Sequence, residues 1–228
     1  MKSPSAQIDL EIGIKNEKWL LLPQKAVYWS KYDMLIVTDL HLGKAGHFRK
    51  AGIPIPQTIH YDDLQTLNQL ILKFSISKVL MLGDLFHSEL NNEWFSFCDF
   101  LKQNSTVHFI LVKGNHDILP AEAYCEDNLE VHSESLILGP FLFTHHPLED
   151  ERRPLYNVAG HIHPGHRVKT NPGQHIKLPS FHFSKYSAIL PAYGKFTGCV
   201  HVPKRAKDRV CVIVPSSTGA GKVIELRK

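Results

Sequence analysis

The chain has 228 residues, 43% hydrophobic and 21% charged, with a formal charge of +4. That composition excludes a disordered or fibrous protein and allows a sizeable core. The charge permits contact with a polyanion without marking a dedicated nucleic-acid binder, and four scattered cysteines without a C-x-x-C pair argue against a zinc finger.

In chain order, Trp19-Leu20-Leu21-Leu22 is too short for a signal core or a membrane span, and Pro23 ends it. Met34–Val37, Val79–Leu82 and Phe109–Val112 are apolar runs bounded by turn residues, the pattern of strands buried on both faces. Between the first two, Leu64, Leu67, Leu70, Ile71 and Phe74 recur at helical spacing after the start signals Pro56 and Thr58. Trp94, Phe95, Cys98 and Leu101 predict a second helix with Asn92 as its N-cap. Phe141–Phe143 and Val158–Ala159 are shorter strand candidates. Beyond His163 the helical signals stop, and the segments 188–190, 198–200, 210–214 and 223–226 predict a second sheet packed on the first. No repeat or linker divides the chain, so residues 1–228 are read as a single domain.

Fifteen histidines are the unusual number, since imidazole is a common transition-metal ligand. Each apolar run leads into ligand chemistry: Asp39-Leu40-His41, Gly83-Asp84, Gly114-Asn115-His116-Asp117, His145-His146 and Gly160-His161-Ile162-His163. In open α/β sheets the carboxyl ends of the strands are where ligands bind. Mixed carboxylate and imidazole donors suit manganese, iron or zinc better than calcium or magnesium. The glycines before Asp84, Asn115 and His161 are expected to permit sharp turns. His146 follows a ligand candidate directly and, in an extended chain, would point the other way. It is therefore placed behind or beside the metals, as is His87. The remaining histidines, at 47, 60, 108, 132, 166, 175, 182 and 201, show no ligand spacing. Ser217–Lys222 fails the P-loop pattern, because Ser216 replaces its first glycine and Val223 its Ser/Thr, and reads as a hairpin turn.

The ordered series from Asp39 to His163 resembles the calcineurin-like metallophosphoesterase superfamily. Four longer strings narrow the resemblance: Asp39-Leu40-His41-Leu42-Gly43-Lys44, Gly83-Asp84-Leu85-Phe86-His87-Ser88, His145-His146-Pro147-Leu148-Glu149 and Leu190-Pro191-Ala192-Tyr193-Gly194. They look like the bacterial ligase-associated DNA-damage-response endonucleases (PdeM-like). The resemblance implies an α/β fold of four layers, αββα, with two mixed sheets flanked by helices. It implies two divalent ions, manganese first and iron or zinc as alternatives. Asp39, His41 and His163 would hold one ion, Asn115, His145 and His161 the other, and Asp84 would bridge them. His116 would be the catalytic acid beside a metal-activated hydroxide, and Asp117, His146, His87, Lys44 and Arg49 would support the site or touch substrate. Many relatives carry an aspartate three residues after the bridging one to orient the catalytic histidine. Here that position is His87, leaving Asp117 or another carboxylate for the task.

The activity so implied is a cytoplasmic phosphodiesterase, a DNA-repair endonuclease with DNA as substrate and a ligase or helicase as partner, away from membranes. A phosphomonoesterase acting on nucleotides or phosphoproteins is the enzymatic alternative. A non-catalytic scaffold is the other, disfavoured because every ligand type is present.

Overall fold

The computed structural model describes residues 9–44, 59–86, 90, 92–149, 154–171, 173–216 and 221–227. The start signals Pro56 and Thr58 lie outside them.

Strands β1 (Leu10–Ile14), β2 (Glu17–Leu22), β3 (Ala26–Trp29) and β4 (Met34–Thr38) form an antiparallel meander. From β4 the sheet continues in parallel through β5 (Lys78–Leu82), β6 (His108–Val112) and β7 (Leu129–His132). Helices α1 (Ile59–Phe74) and α2 (Asn92–Gln103) make the crossovers that parallel pairing requires. β4 is buried along its whole length, and its residues alternate between two cores. Leu35 and Val37 meet α1 and α2 through Leu67, Ile71, Phe97 and Leu101. Met34 and Ile36 meet the second sheet through Phe141, Phe143, Val158 and Phe181. Each such side chain contributes about 1.5–3 kcal/mol by leaving water.

The second sheet contains β8 (Ser135–Leu138), β9 (Phe141–Thr144), β10 (Tyr156–Ala159), β11 (Pro164–Asn171), β12 (Gln174–Phe183), β13 (Ser187–Ile189), β14 (Val200–His201), β15 (Arg209–Val214) and β16 (Lys222–Glu225). Its order is β14-β11-β12-β13-β10-β9-β8, with β15 pairing β12 and β16. β9, β10 and β13 are mutually parallel.

The structure departs from the sequence reading in three places. The five strands that carry the motifs belong to two sheets: β4, β5 and β6 to the first, β9 and β10 to the second. In α2 the inward face is Trp94, Phe97, Phe100 and Leu101, while Phe95 is 59% exposed. The helix already begins at Asn92, so Asn92 is a helical residue, and position 91 lies outside the described residues. Both described α-helices cover the first sheet. Among the described residues the outer face of the second carries no helix, only a small cluster of Leu178, Val210 and Val212 with Val168, Val214 and Leu226. β15 and β16 pair as a hairpin, and residues 217–220 of its turn lie outside the described residues.

Candidate metal centre

Register brings the motif-bearing strand ends level. Thr38 lies opposite Leu82 and Leu82 opposite Val112, while in the second sheet Ala159 lies opposite Thr144. The loops remain bonded to one another as they leave the strands. The Asp39 amide donates to Gly83 O (3.1 Å), the His41 amide to Asp84 O (2.9 Å) and the Gly160 amide to His145 O (3.1 Å). Asp39, His41, Asp84, His161 and His163 have φ of 52, 50, 48, 65 and 50°. Left-handed backbone costs an L-residue about 1–2 kcal/mol. It persists where neighbouring structure over-determines it, and such positions gather at functional sites. Here it folds each loop back over its strand end instead of extending the strand.

The side chains converge in two groups around Asp84. On one side His163 Nε2 lies 3.3 Å from Asp39 Oδ1 and 3.4 Å from His41 Nε2. On the other, His145 Nε2 lies 3.2 Å from Asn115 Oδ1 and 3.1 Å from His161 Nδ1. Asp84 faces both: Oδ1 is 3.3 Å from His145 Nε2, and Oδ2 is 3.8 Å from His41 Nε2. Ligand atoms of Asp39, His41 and His163 lie within 4.8 Å of one another, as do those of His145, His146 and His161, and those of Asp39, Asp84 and His145. All seven ligand candidates are thus brought together. Asp39 and Asp84 are almost wholly buried at 0% and 2% exposure. Buried carboxylates faced by imidazole nitrogens fit divalent transition ions.

The electrostatics agree with that donor set. Burial, with the charge of Lys44 next, lowers His41 to about 3, so its ring is a neutral donor at any ordinary pH. Burial opposes ionisation of Asp84, but its hydrogen bond to His145 and nearby imidazoles outweigh it and hold the carboxyl well below its usual range. Burial likewise pushes His145 down, yet the Asp84 bond, the Leu82 carbonyl and the charges of Asp84 and Asp39 raise it overall. His145 Nδ1 lies 3.1 Å from Leu82 O. A carbonyl only accepts, so Nδ1 carries hydrogen and Nε2 is left to face the cluster.

Glycine serves here mainly by leaving room. Gly83 does turn the chain, at φ 73°, and a Cβ on it would come within 2.2 Å of the His145 ring. Gly114 and Gly160 have no positive φ; Cβ atoms there would lie 2.3 Å from Asp84 Oδ1 and 2.5 Å from Asp39 Oδ2. The turn expected at these two is therefore a close approach. Gly114→Ala is expected to cost about 1–3 kcal/mol, the usual scale of overpacking. Urea unfolding checks it, with wild-type stability as the contrary result.

Several residues outside the ligand motifs hold the loops from behind. Asn157 accepts from the Leu148 amide (3.0 Å) and donates to Leu142 O (3.0 Å) and Thr144 Oγ1 (2.9 Å), which fixes the loop after His145. Segment 190–195 lies along the first loop. The Tyr193 amide donates to Thr38 O (2.8 Å), the Gly194 amide to Asp39 O (3.3 Å) and Thr38 Oγ1 to Pro191 O (3.1 Å). Lys25 Nζ donates to the Tyr193 and Gly194 carbonyls at 3.4 and 3.3 Å. Asp63 accepts from the Lys195 amide at 3.1 Å, and burial pushes its carboxyl up to about 6. A polar Asn157 inside an apolar run was the one available signal for its role.

The other candidates fall as follows. His116 lies at the solvent side, its ring 43% exposed and its Nε2 4.0 Å from Asp84 Oδ2. Asp117 accepts from the Phe86 and Gly114 amides (3.1 and 2.8 Å) with its two oxygens, and so ties its own loop to the loop that carries Asp84. His146 is exposed, with its ring centroid 4.0 Å from that of His161. It therefore turns toward the cluster, contrary to strand alternation, because the strand ends at Thr144. Lys44 acts electrostatically on His41. His87 and Arg49 lie outside the described residues. Among the background histidines, His182 pairs with Asp208 at 2.9 Å and His108 with Glu130 at 3.0 Å.

Residues 33–179 match the calcineurin-like phosphoesterase family. The fold is similar to the crystal structure of the Pseudomonas putida nuclease MPE, with TM-score 0.76 and 24% identity over 96% of this chain and 100% of that one. Yfce, a phosphoesterase from E. coli, matches with TM-score 0.41 and 12% identity over 78% of this chain and 86% of that one. No curated protein sequence matches.

Proposed function

The chain belongs to the calcineurin-like phosphoesterase family and is a metal-dependent hydrolase of phosphate esters; from that premise we propose a two-metal phosphodiesterase that cuts nucleic acid, in DNA repair in the cytoplasm. The observation that carries the two-metal reading is Asp84, which turns one oxygen toward His145 and the other toward His41. Asp39, His41 and His163 would hold one ion, Asn115, His145 and His161 the other, and Asp84 would bridge them. Divalent ions so held supply Lewis acidity at the phosphoryl oxygens and lower the pKa of a water.

The protein's own groups do the rest. His41 stays unprotonated, and the Leu82 carbonyl fixes the tautomer of His145. Lys44 stands near His41 as a cation for a substrate phosphate. His116 would protonate the leaving oxygen, a role supported by its partly exposed ring beside Asp84. The structural likeness to a nuclease supports the nucleic-acid reading at the level of fold.

Chelation is expected to abolish activity, with manganese restoring it best, because mixed imidazole and carboxylate donors fit magnesium's oxygen preference poorly. The assay uses a nitrophenyl diester, a nitrophenyl monoester and an oligonucleotide. Full activity with magnesium alone, after rigorous stripping, would overturn the metal assignment. Preference for the monoester would overturn the diester reading.

A further inference from the structure

Behind the metal centre, two oppositely charged side chains from distant parts of the chain act on adjacent peptide groups of segment 190–195. Lys25 stands in the turn between β2 and β3 and Asp63 in α1, both outside the ligand motifs. Lys25 Nζ donates to the Tyr193 carbonyl (3.4 Å), and the amide of that same peptide group, Gly194 N–H, donates to Asp39 O (3.3 Å). Lys25 Nζ also donates to the Gly194 carbonyl (3.3 Å), and the amide of that peptide group, Lys195 N–H, donates to Asp63 Oδ2 (3.1 Å). The first peptide group thus stands between a cation and the backbone of a ligand candidate. The second has a cation at its oxygen and a carboxylate at its nitrogen. Hydrogen bonds chained in this way polarise one another, and an ionised partner makes each stronger.

Taking charge out of water is costly, and a neutral group can hold this segment, as Thr38 Oγ1 does at Pro191 O. Burial lowers the basicity of Lys25, and the charge of Asp63 works against it. What the two charges secure is a loop in a costly backbone, with Asp39 and His41 at φ 52 and 50°. The segment lies so close to that loop that a Cβ on Gly194 would come within 2.3 Å of Leu40 O. Asn115 and His145 sit on other loops, which Asp117 and Asn157 support. We propose that Lys25 and Asp63 are positioning residues for the ion of Asp39, His41 and His163, clamping the segment that keeps the Asp39–His41 loop in its ion-binding shape. This rests on the two-metal reading above.

The test reads manganese binding by equilibrium dialysis of the whole chain. Wild type is compared with Lys25→Met, which keeps an unbranched stem and removes the charge, with Asp63→Asn, and with the two combined. Each single variant is expected to weaken one of the two ions about tenfold, the usual scale for losing a group that supports a ligand, and to leave the other unchanged. The combined variant should cost little more than either alone, because both charges act through one segment. Added to His41→Ala, which already lacks one ligand of the ion in question, Lys25→Met should do nothing to the ion that remains. Equal weakening of both ions would make the pair a general support of the fold, and unchanged affinity would remove it from the site; either result overturns the proposal. If Lys25→Met does not fold, Asp63→Asn carries the same comparison, and failure of both to fold also overturns it. Wild type that saturates at one manganese ion per chain would instead overturn the two-metal reading, and the proposal with it.

Discussion

Asp84→Asn is expected to release both metal ions and bring hydrolysis down to background. The carboxylate is buried, ionised and presented to both imidazole groups. An amide keeps the size but loses the charge and offers one acceptor oxygen in place of two. Removing one partner of a buried charged pair costs about 3–5 kcal/mol, or roughly two to four orders of magnitude in affinity. Metal content after gel filtration, read beside turnover, checks the result. A variant that retains two ions per chain would remove Asp84 from the bridging role. His145 adds an independent reading: without the Asp84 charge it loses its main cause of raised basicity. In the metal-free variant the ring should therefore titrate at lower pH than in metal-free wild type.

His116→Ala is expected to keep both metals and to lower turnover by about a hundredfold or more, the usual scale for general acid or electrostatic help. The ring stands on the solvent side of Asp84 and is not part of the groups that gather around the two candidate ions. A proton donor matters most when the leaving oxygen is basic. The defect should thus be large for an oligonucleotide and small for a nitrophenyl diester. Equal slowing of both would make His116 a stabiliser of transition-state charge, and loss of metal would make it a ligand.

The sequence revealed the parts of the molecule in which local pattern and chemistry coincide. β4, β5 and β6 are apolar along nearly their whole length because both faces are covered, and each ends in a ligand motif, so strand and site were legible together. β11 and β12 were not, because Arg167, Lys169, His175 and Lys177 interrupt them with exposed polar residues. Assigning β9 and β10 to the second sheet needed pairing partners, which periodicity does not supply. The inward face of α2 was misplaced by one position for a similar reason. Trp94, Phe95, Phe97, Cys98 and Phe100 offer apolar residues all round, and only packing selects among them. Lys25 and Asp63 were invisible as site residues because they act on backbone carbonyls and amides, which leave no motif.

The strap formed by residues 190–195 also sets a timetable. Thr38 is tied to Pro191, 153 residues later in the chain, and the Thr38 and Asp39 carbonyls receive amides from Tyr193 and Gly194. A ribosome delivers that interval in roughly 8 to 30 s. Within that time the crossover helices and β5, β6 and β7 are themselves made, while the first aspartate loop still lacks its clasp. The histidines at 145, 161 and 163 arrive only in the later part of the same interval. A nascent chain halted before Gly194 therefore lacks the bonds that hold its first aspartate loop, and the centre is finished only after that residue has been added.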